Sequence, residues 1–275
     1  MSSRSVLSKL AAAAAIAGLA VTLSACSANT AGSGNESTES ESALDRVTEA
    51  GVLVVGTEGT YKPFSFHEGG SGDLTGYDVE VVTAVAEKLD LDVKFEETQW
   101  DGIFAGLDAG RFDIIANQVS INEQREEQYT LTEPYTVSPG VVIVAKDNTD
   151  ISSLEDLEGK TTAQSNTSNW FAVAEDAGAT VETVEGWAQA VALLEQGRVD
   201  ATVNDKLTFL DFVKGKPDAA IKIVAETEDP SRNAFALKKG SDVLADAINT
   251  ALDELREDGT LAEISEKYFG EDVSK

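Results

Sequence analysis

An α/β fold built from two similar lobes is predicted by three observations on this chain. Apolar strand-like runs alternate with amphipathic helix-like runs from Gly51 onward. This order favours a layered fold with a mostly parallel sheet. An eighteen-residue pattern occurs twice, at 100–117 and 187–204, so the architecture repeats. Everything before residue 43 lacks either pattern, which leaves about 230 residues for the folded part, enough for two cores.

Arg4 and Lys9 precede an apolar run from Leu10 to Leu23. That run is short for a bilayer span and has the layout of a secretory signal. Cys26 is the single cysteine of 275 residues. The stretch Leu23-Ser24-Ala25-Cys26 resembles the bacterial lipobox, in which the cysteine is acylated and becomes the first residue. The competing reading is an ordinary signal cut at a nearby small residue. Residues 27–42, SANTAGSGNESTESES, hold no large apolar side chain and read as a flexible tether. The expectation is therefore a signal peptide over 1–25 and an acylated cysteine with its tether over 26–42.

The elements then follow in order. ALDRVTEAG predicts a short helix closed by Gly51, and VLVVGT a buried strand. YDVEVVTAVAEKL puts Val79, Val82, Val85, Ala86 and Leu89 on one helical face. LDVKFEE alternates as a strand, and FDIIANQ is another buried one. The two repeated segments, WDGIFAGLDAGRFDIIAN and WAQAVALLEQGRVDATVN, share Trp, Leu, Gly, Arg, Asp and Asn at fixed spacing. Each reads as a helix, a glycine cap (Gly110, Gly197) and a short strand. Helix–Gly–strand units are common, so chance is one reading; two lobes of similar architecture is the other. Ligands of open α/β sheets collect where strands end and helices begin, so two such lobes facing one another make a cleft.

Composition limits the function. A net charge of −28 argues against nucleic acid and anionic lipid surfaces. One histidine, His67, in a Gly-rich turn and one cysteine in a tether cannot supply a zinc site of the usual kind, so neither a metal nor another cofactor is expected.

GYDVEVVTAVAEKL, with GTEGTYKPFSF, SINEQR, PYTVSPGVVIVAK, LEGKTTAQSNTSN and DGTLAEISEKYF in that order, resembles the extracellular solute-binding proteins that deliver polar amino acids to ABC transporters, family 3. TAQSNTSNW and VEGWAQAVALLEQGRVDATVND are most similar to the cystine-binding members. The resemblance spans Leu44 to Gly270 and implies a two-lobed, type II periplasmic-binding-protein-like fold. The ligand then lies in a cleft between lobes joined by two crossing segments, near Thr136–Val141 and Arg232–Ala236. Lobe 1 is expected over 43–137 plus 234–275, and lobe 2 over 138–233.

A free amino acid carries two fixed charges. Asn122 is a good N-cap, and Arg125 follows in a first turn, a position that ordinarily favours acids. On its residues alone Arg125 either pairs at the surface with Glu126 or Glu127, or reaches a bound carboxylate as a bidentate partner. The resemblance implies the second role, with Thr167 and Ser168 closing on the same group. Asp205 reads as a plain N-cap, and the resemblance adds a role as acceptor for the ligand ammonium, helped by Ser120 and Asn117. Glu58, Tyr61, Phe64 and Trp100 are expected at the side-chain end. Each aromatic on its own reads as core, and Glu58 stands where many relatives have Asp.

The resemblance thus implies a monomeric, non-enzymatic, extracytoplasmic lipoprotein. It captures a polar amino acid, cystine in first place, and hands it to an ABC permease. Glutamine, arginine and histidine are the alternative ligands. A cyclohexadienyl or arogenate dehydratase on the same fold is the alternative of another class, with Glu58 as its general acid.

Overall fold

The computed structural model describes residues 42–275. The expected signal, Cys26 and nearly all of the tether lie outside the described residues.

Helix α1 (Ala43–Ala50) starts at a reciprocal cap, in which Ser42 accepts the Asp45 N–H and the Asp45 carboxylate accepts the Ser42 N–H. It stops at Gly51, left-handed at φ 66°. Strand β1 (Val52–Thr57) follows, then three short strands, β2 (Thr60–Tyr61), β3 (Ser65–His67) and β4 (Leu74–Thr75), which form a separate small sheet. Helix α2 (Tyr77–Lys88) begins at Gly76, whose φ of 132° suits glycine, and a Cβ there would sit 2.2 Å from the Phe64 carbonyl oxygen. The predicted face of α2 is inside, and so are Val81 and Asp78. The helix is covered more fully than its periodicity suggests because the C-terminal helices α8 (Asp242–Glu257) and α9 (Thr260–Phe269) close over it; Leu244, Ile248, Leu252 and Leu261 share one core with Val81, Val82 and Val85.

Between these lie β5 (Asp92–Glu97), α3 (Trp100–Asp108), β6 (Ile114–Ser120), α4 (Glu123–Gln128), β7 (Tyr129–Leu131) and β8 (Thr136–Ala145). They are followed by β9 (Thr161–Gln164), α5 (Asn169–Asp176), β10 (Thr180–Thr183), α6 (Trp187–Glu195), β11 (Ala201–Asp205), α7 (Lys206–Gly215) and β12 (Ile221–Lys238). The large sheet runs β10-β9-β11-β8-β12-β6-β1-β5, with β7 also paired to β12.

The sheet is mixed, where the sequence predicted a mostly parallel one. β1 pairs in parallel with β5 and β6, and β9 with β10 and β11, but every pairing of β8 and β12 is antiparallel. The reason is connectivity: β8 leaves the half that holds β1, and β12 returns to it, so the two run in opposite directions. They pair along the crossing itself, from Thr136–Asn233 to Pro139–Pro230. Separate cores flank this crossing, one around Val55, Val82 and Ile248 and one around Ile143, Val191 and Leu194.

The repeat is real in three dimensions. Asp113 accepts the Val54 N–H at 3.0 Å and donates its own N–H to the Val54 carbonyl at 2.8 Å. Asp200 does the same with Thr161, at 2.8 Å both ways. Gly110 and Gly197 are both left-handed, at φ 70° and 67°, and both close their helices onto the shared leucine, Leu107 or Leu194. The shared Asp is thus a staple that docks each repeat strand to its neighbour.

Candidate functional site

The N-termini of α3 and α6 and the ends of β6 and β11 converge on a cavity of about 270 Å³. Both repeat tryptophans line it, Trp100 from one half and Trp187 from the other. The repeat asparagines hold its walls. The Asn117 amide donates to Glu58 Oε2 at 2.7 Å and accepts the Glu58 N–H at 2.9 Å. Asn204 Oδ1 accepts the Tyr61 hydroxyl at 3.1 Å, and that hydroxyl in turn accepts from Thr208 at 3.1 Å, which joins the two halves.

Arg125 lies at one side, only 7% exposed. Neither Glu126 nor Glu127 pairs with it; its guanidinium donates to the Ser120 carbonyl at 2.9 Å and across the cleft to the Thr167 carbonyl at 3.3 Å. No carboxylate among the described residues neutralises it. It packs 5.4 Å from the Trp100 ring and 5.3 Å from the Phe104 ring, a cation–π cradle that fixes the fork. Burial presses its pKa down to about 10. The helix it sits on has six residues, and Asn122 Oδ1 already takes the Arg125 N–H at 2.9 Å. The guanidinium, rather than a helix terminus, is therefore the cationic feature. Thr167 is held from the far side, its N–H and hydroxyl both donating to Asp101 Oδ1 at 3.1 and 2.9 Å. The Ser168 hydroxyl accepts the Trp170 N–H and caps α5.

Three acids lie nearby without a cation among the described residues. Glu58, half-buried, is pushed up to about 7, chiefly by desolvation and against the Asn117 hydrogen bond. Asp205 is 3% exposed, and burial lifts it to about 6 although it accepts from Ser138 and from the Leu207 N–H, each at 2.8 Å. Asp205 therefore caps α7, as its residue type suggests, and no cation among the described residues pairs with it. Asp78, further inside, is raised to about 7 by the same cause.

Of the expected residues, Glu58, Tyr61, Trp100 and Ser168 line the cavity; Asn117, Ser120, Arg125, Thr167 and Asp205 are not among its lining residues. Phe64, expected to face a ligand, is 0% exposed and belongs to the core, its ring centroid 5.1 Å from that of Tyr61 at a tilt of 50°. Sequence reasoning missed Gln118, Trp170, Glu185, Trp187 and Asn204 as lining residues. Trp187 and Asn204 were within reach of it, as the repeat equivalents of Trp100 and Asn117. Gln118 gave no signal, since its left-handed backbone at φ 51° is not written in its type.

The family model described as bacterial extracellular solute-binding proteins, family 3, matches residues 53–271. The L-cystine-binding protein TcyA of Bacillus subtilis is 51% identical over 249 residues, covering 89% of this chain and 92% of that protein. Among solved structures, an ancestral arginine-binding protein bound to arginine superposes with TM-score 0.74 at 39% identity, covering 80% of this chain and 99% of that one. The unliganded, open L-cystine solute receptor of Neisseria gonorrhoeae is more similar in sequence, at 45%, yet its TM-score is 0.59 over 85% of this chain and 99% of that one. The hydrogen bonds of Tyr61 and Arg125 across the cleft accord with the better fit to the ligand-bound relative.

Proposed function

Because the chain belongs to the bacterial extracellular solute-binding proteins, family 3, and so acts outside the cytoplasm, we propose that it captures L-cystine by closure of its two lobes and delivers it to an ABC permease. The observation that carries amino-acid capture is Arg125, a buried guanidinium without a carboxylate among the described residues, in the same protein as Asp205, a buried acid without a cation among them. A buried charge is costly until it is paired, and a zwitterion supplies both missing partners at once. In this reading Arg125 forks onto the ligand carboxylate, with Thr167, Ser168 and Ser120 around it, and Asp205 takes the ammonium. Trp100 covers the ligand, and its indole N–H, buried without an acceptor among the described residues, is a donor in waiting. Glu58, held by Asn117, meets the second ammonium, and Tyr61 closes the wall.

Division into 43–137 plus 234–275 and 138–233 is part of the proposal, as are a monomer, binding without catalysis, and acylation at Cys26 after removal of 1–25. The tether holds the receptor beside its permease while leaving the lobes free to open. Cys26→Ala should release the protein from membranes and leave its affinity unchanged. Fractionation in which the variant still pellets with lipid would overturn acylation there.

The ligand is tested by melting temperature across the twenty amino acids and cystine. Cystine should give the largest rise; a hundredfold excess over Kd stabilises by about 2.7 kcal/mol. Reductant should abolish the cystine shift by cleaving the ligand. A larger shift with arginine, glutamine or histidine would replace cystine within the same family reading. Phenylalanine released from arogenate would instead favour the dehydratase.

A further inference from the structure

Between the cavity and the two crossing strands lies a buried polar cluster that zwitterion binding does not use. Its centre is Asp78, 0% exposed in the first turn of α2. One residue takes both of its oxygens: the Gln118 N–H donates to Oδ2 at 2.8 Å, and the Gln118 side-chain amide donates to Oδ1 at 2.6 Å. The Gln118 N–H also lies 3.4 Å from the Tyr135 hydroxyl, which accepts from it. The same Gln118 amide reaches both crossing strands, donating to Thr136 Oγ1 on β8 at 3.1 Å and accepting from Asn233 Nδ2 on β12 at 2.8 Å. Gln118 lines the cavity, yet its side chain is turned away into this cluster, so the face it gives to a ligand is its backbone. That backbone is left-handed, which a glutamine adopts only when its surroundings hold it there.

We propose that Asp78 is a positioning residue for ligand capture: its carboxylate holds Gln118 in the left-handed conformation that sets the cavity wall, and through the Gln118 amide it ties that wall to both crossing strands. A carboxylate suits the task because two N–H donors from one residue converge on it, and each needs an acceptor. An asparagine would turn its own NH₂ against one of them. A wall residue bonded to both crossing strands makes the cavity's shape depend on how those two strands run. Asp78 itself does not line the cavity and acts through Gln118, and the inference rests on the reading that the cavity binds an amino acid.

The test is a rescue measured by calorimetry with L-cystine, on variants first confirmed as folded by thermal unfolding. Asp78→Asn should weaken binding about ten- to a hundredfold, the range that one strained backbone conformation commands. Adding Gln118→Gly should recover the part of that loss due to the backbone conformation, because glycine takes the left-handed conformation freely and removes the amide that the asparagine opposes. The several-fold part due to the ties to β8 and β12 stays lost. A purely structural role would show as lower stability, and a glycine would not restore affinity. If Asp78→Asn fails to fold, Asn233→Ala, which cuts the tie to β12 and a hydrogen bond from the Ser231 hydroxyl but leaves Asp78 and Gln118 in place, should still weaken binding several-fold. Wild-type affinity in folded Asp78→Asn, no recovery in the double variant, or wild-type affinity in Asn233→Ala would each overturn the proposal. Failure of the wild type to bind cystine would refute the ligand instead; the same series is then run with whichever amino acid raises the melting temperature.

Discussion

Replacing Arg125 by alanine is expected to weaken cystine binding by roughly thirty- to several-thousand-fold, the equivalent of about 2–5 kcal/mol for removing one member of a desolvated charge pair. The unliganded protein should not lose stability in proportion. Arg125 is 7% exposed, and among the described residues its guanidinium hydrogen-bonds the carbonyls of Ser120 and Thr167 and no carboxylate, so alanine also removes a buried charge that none of them neutralises. Arg125→Lys should recover little, because an ammonium cannot reproduce the planar fork between Trp100 and Phe104. Titration calorimetry beside a melting curve separates the two effects. An alanine variant that binds within a fewfold of wild type would remove Arg125 from the site.

The second large effect is expected at Asp205. Asparagine keeps the cap on α7, since either residue accepts the Leu207 N–H, but it removes the charge. Asp205→Asn should therefore fold normally and lose about 2–5 kcal/mol of binding. Acidity should mimic it. With Asp205 raised to about 6 in the unliganded protein, a ligand ammonium that needs the carboxylate must expel a proton below that pH. From this group affinity falls about tenfold per pH unit below 6, and the Asn variant lacks that slope. Stability of the unliganded protein moves the other way. A carboxyl whose folded pKa is raised stabilises fully below its unfolded value and loses that contribution as pH rises through the folded one. Asp205 at about 6, and Glu58 and Asp78 at about 7, should together make the unliganded protein less stable at pH 7.5 than at pH 5. A pH-independent affinity in the wild type would show that Asp205 does not meet an ammonium.

Much of the architecture was legible because it depends on local rules. Gly51, Gly110 and Gly197 mark helix ends through backbone chemistry that residue type alone sets, and the buried face of α2 follows from spacing, whereas Ser42, read as the end of the tether, is the cap of α1. The double pattern of Trp, Leu, Gly, Arg, Asp and Asn carried more than was taken from it. It forecast two similar units, and the structure adds that the shared Asp staples strands while the shared Trp and Asn build opposite walls of one cavity.

What the sequence determined by itself is the alternation of elements, their caps, the repeat and the type of charge that a small polar ligand must satisfy, because each is fixed by residues close together in the chain. Only the tertiary structure decided that Arg125 is buried instead of paired with Glu126 or Glu127, that Phe64 is core, and that Asp78 and Gln118 are bonded forty residues apart. The sheet's mixed direction belongs here too, since it follows from β8 and β12 crossing in opposite senses. These outcomes depend on which surfaces meet once distant segments pack. Desolvation then acts on whatever lies at the junction, and it turns ordinary surface residue types into buried charges that need a partner.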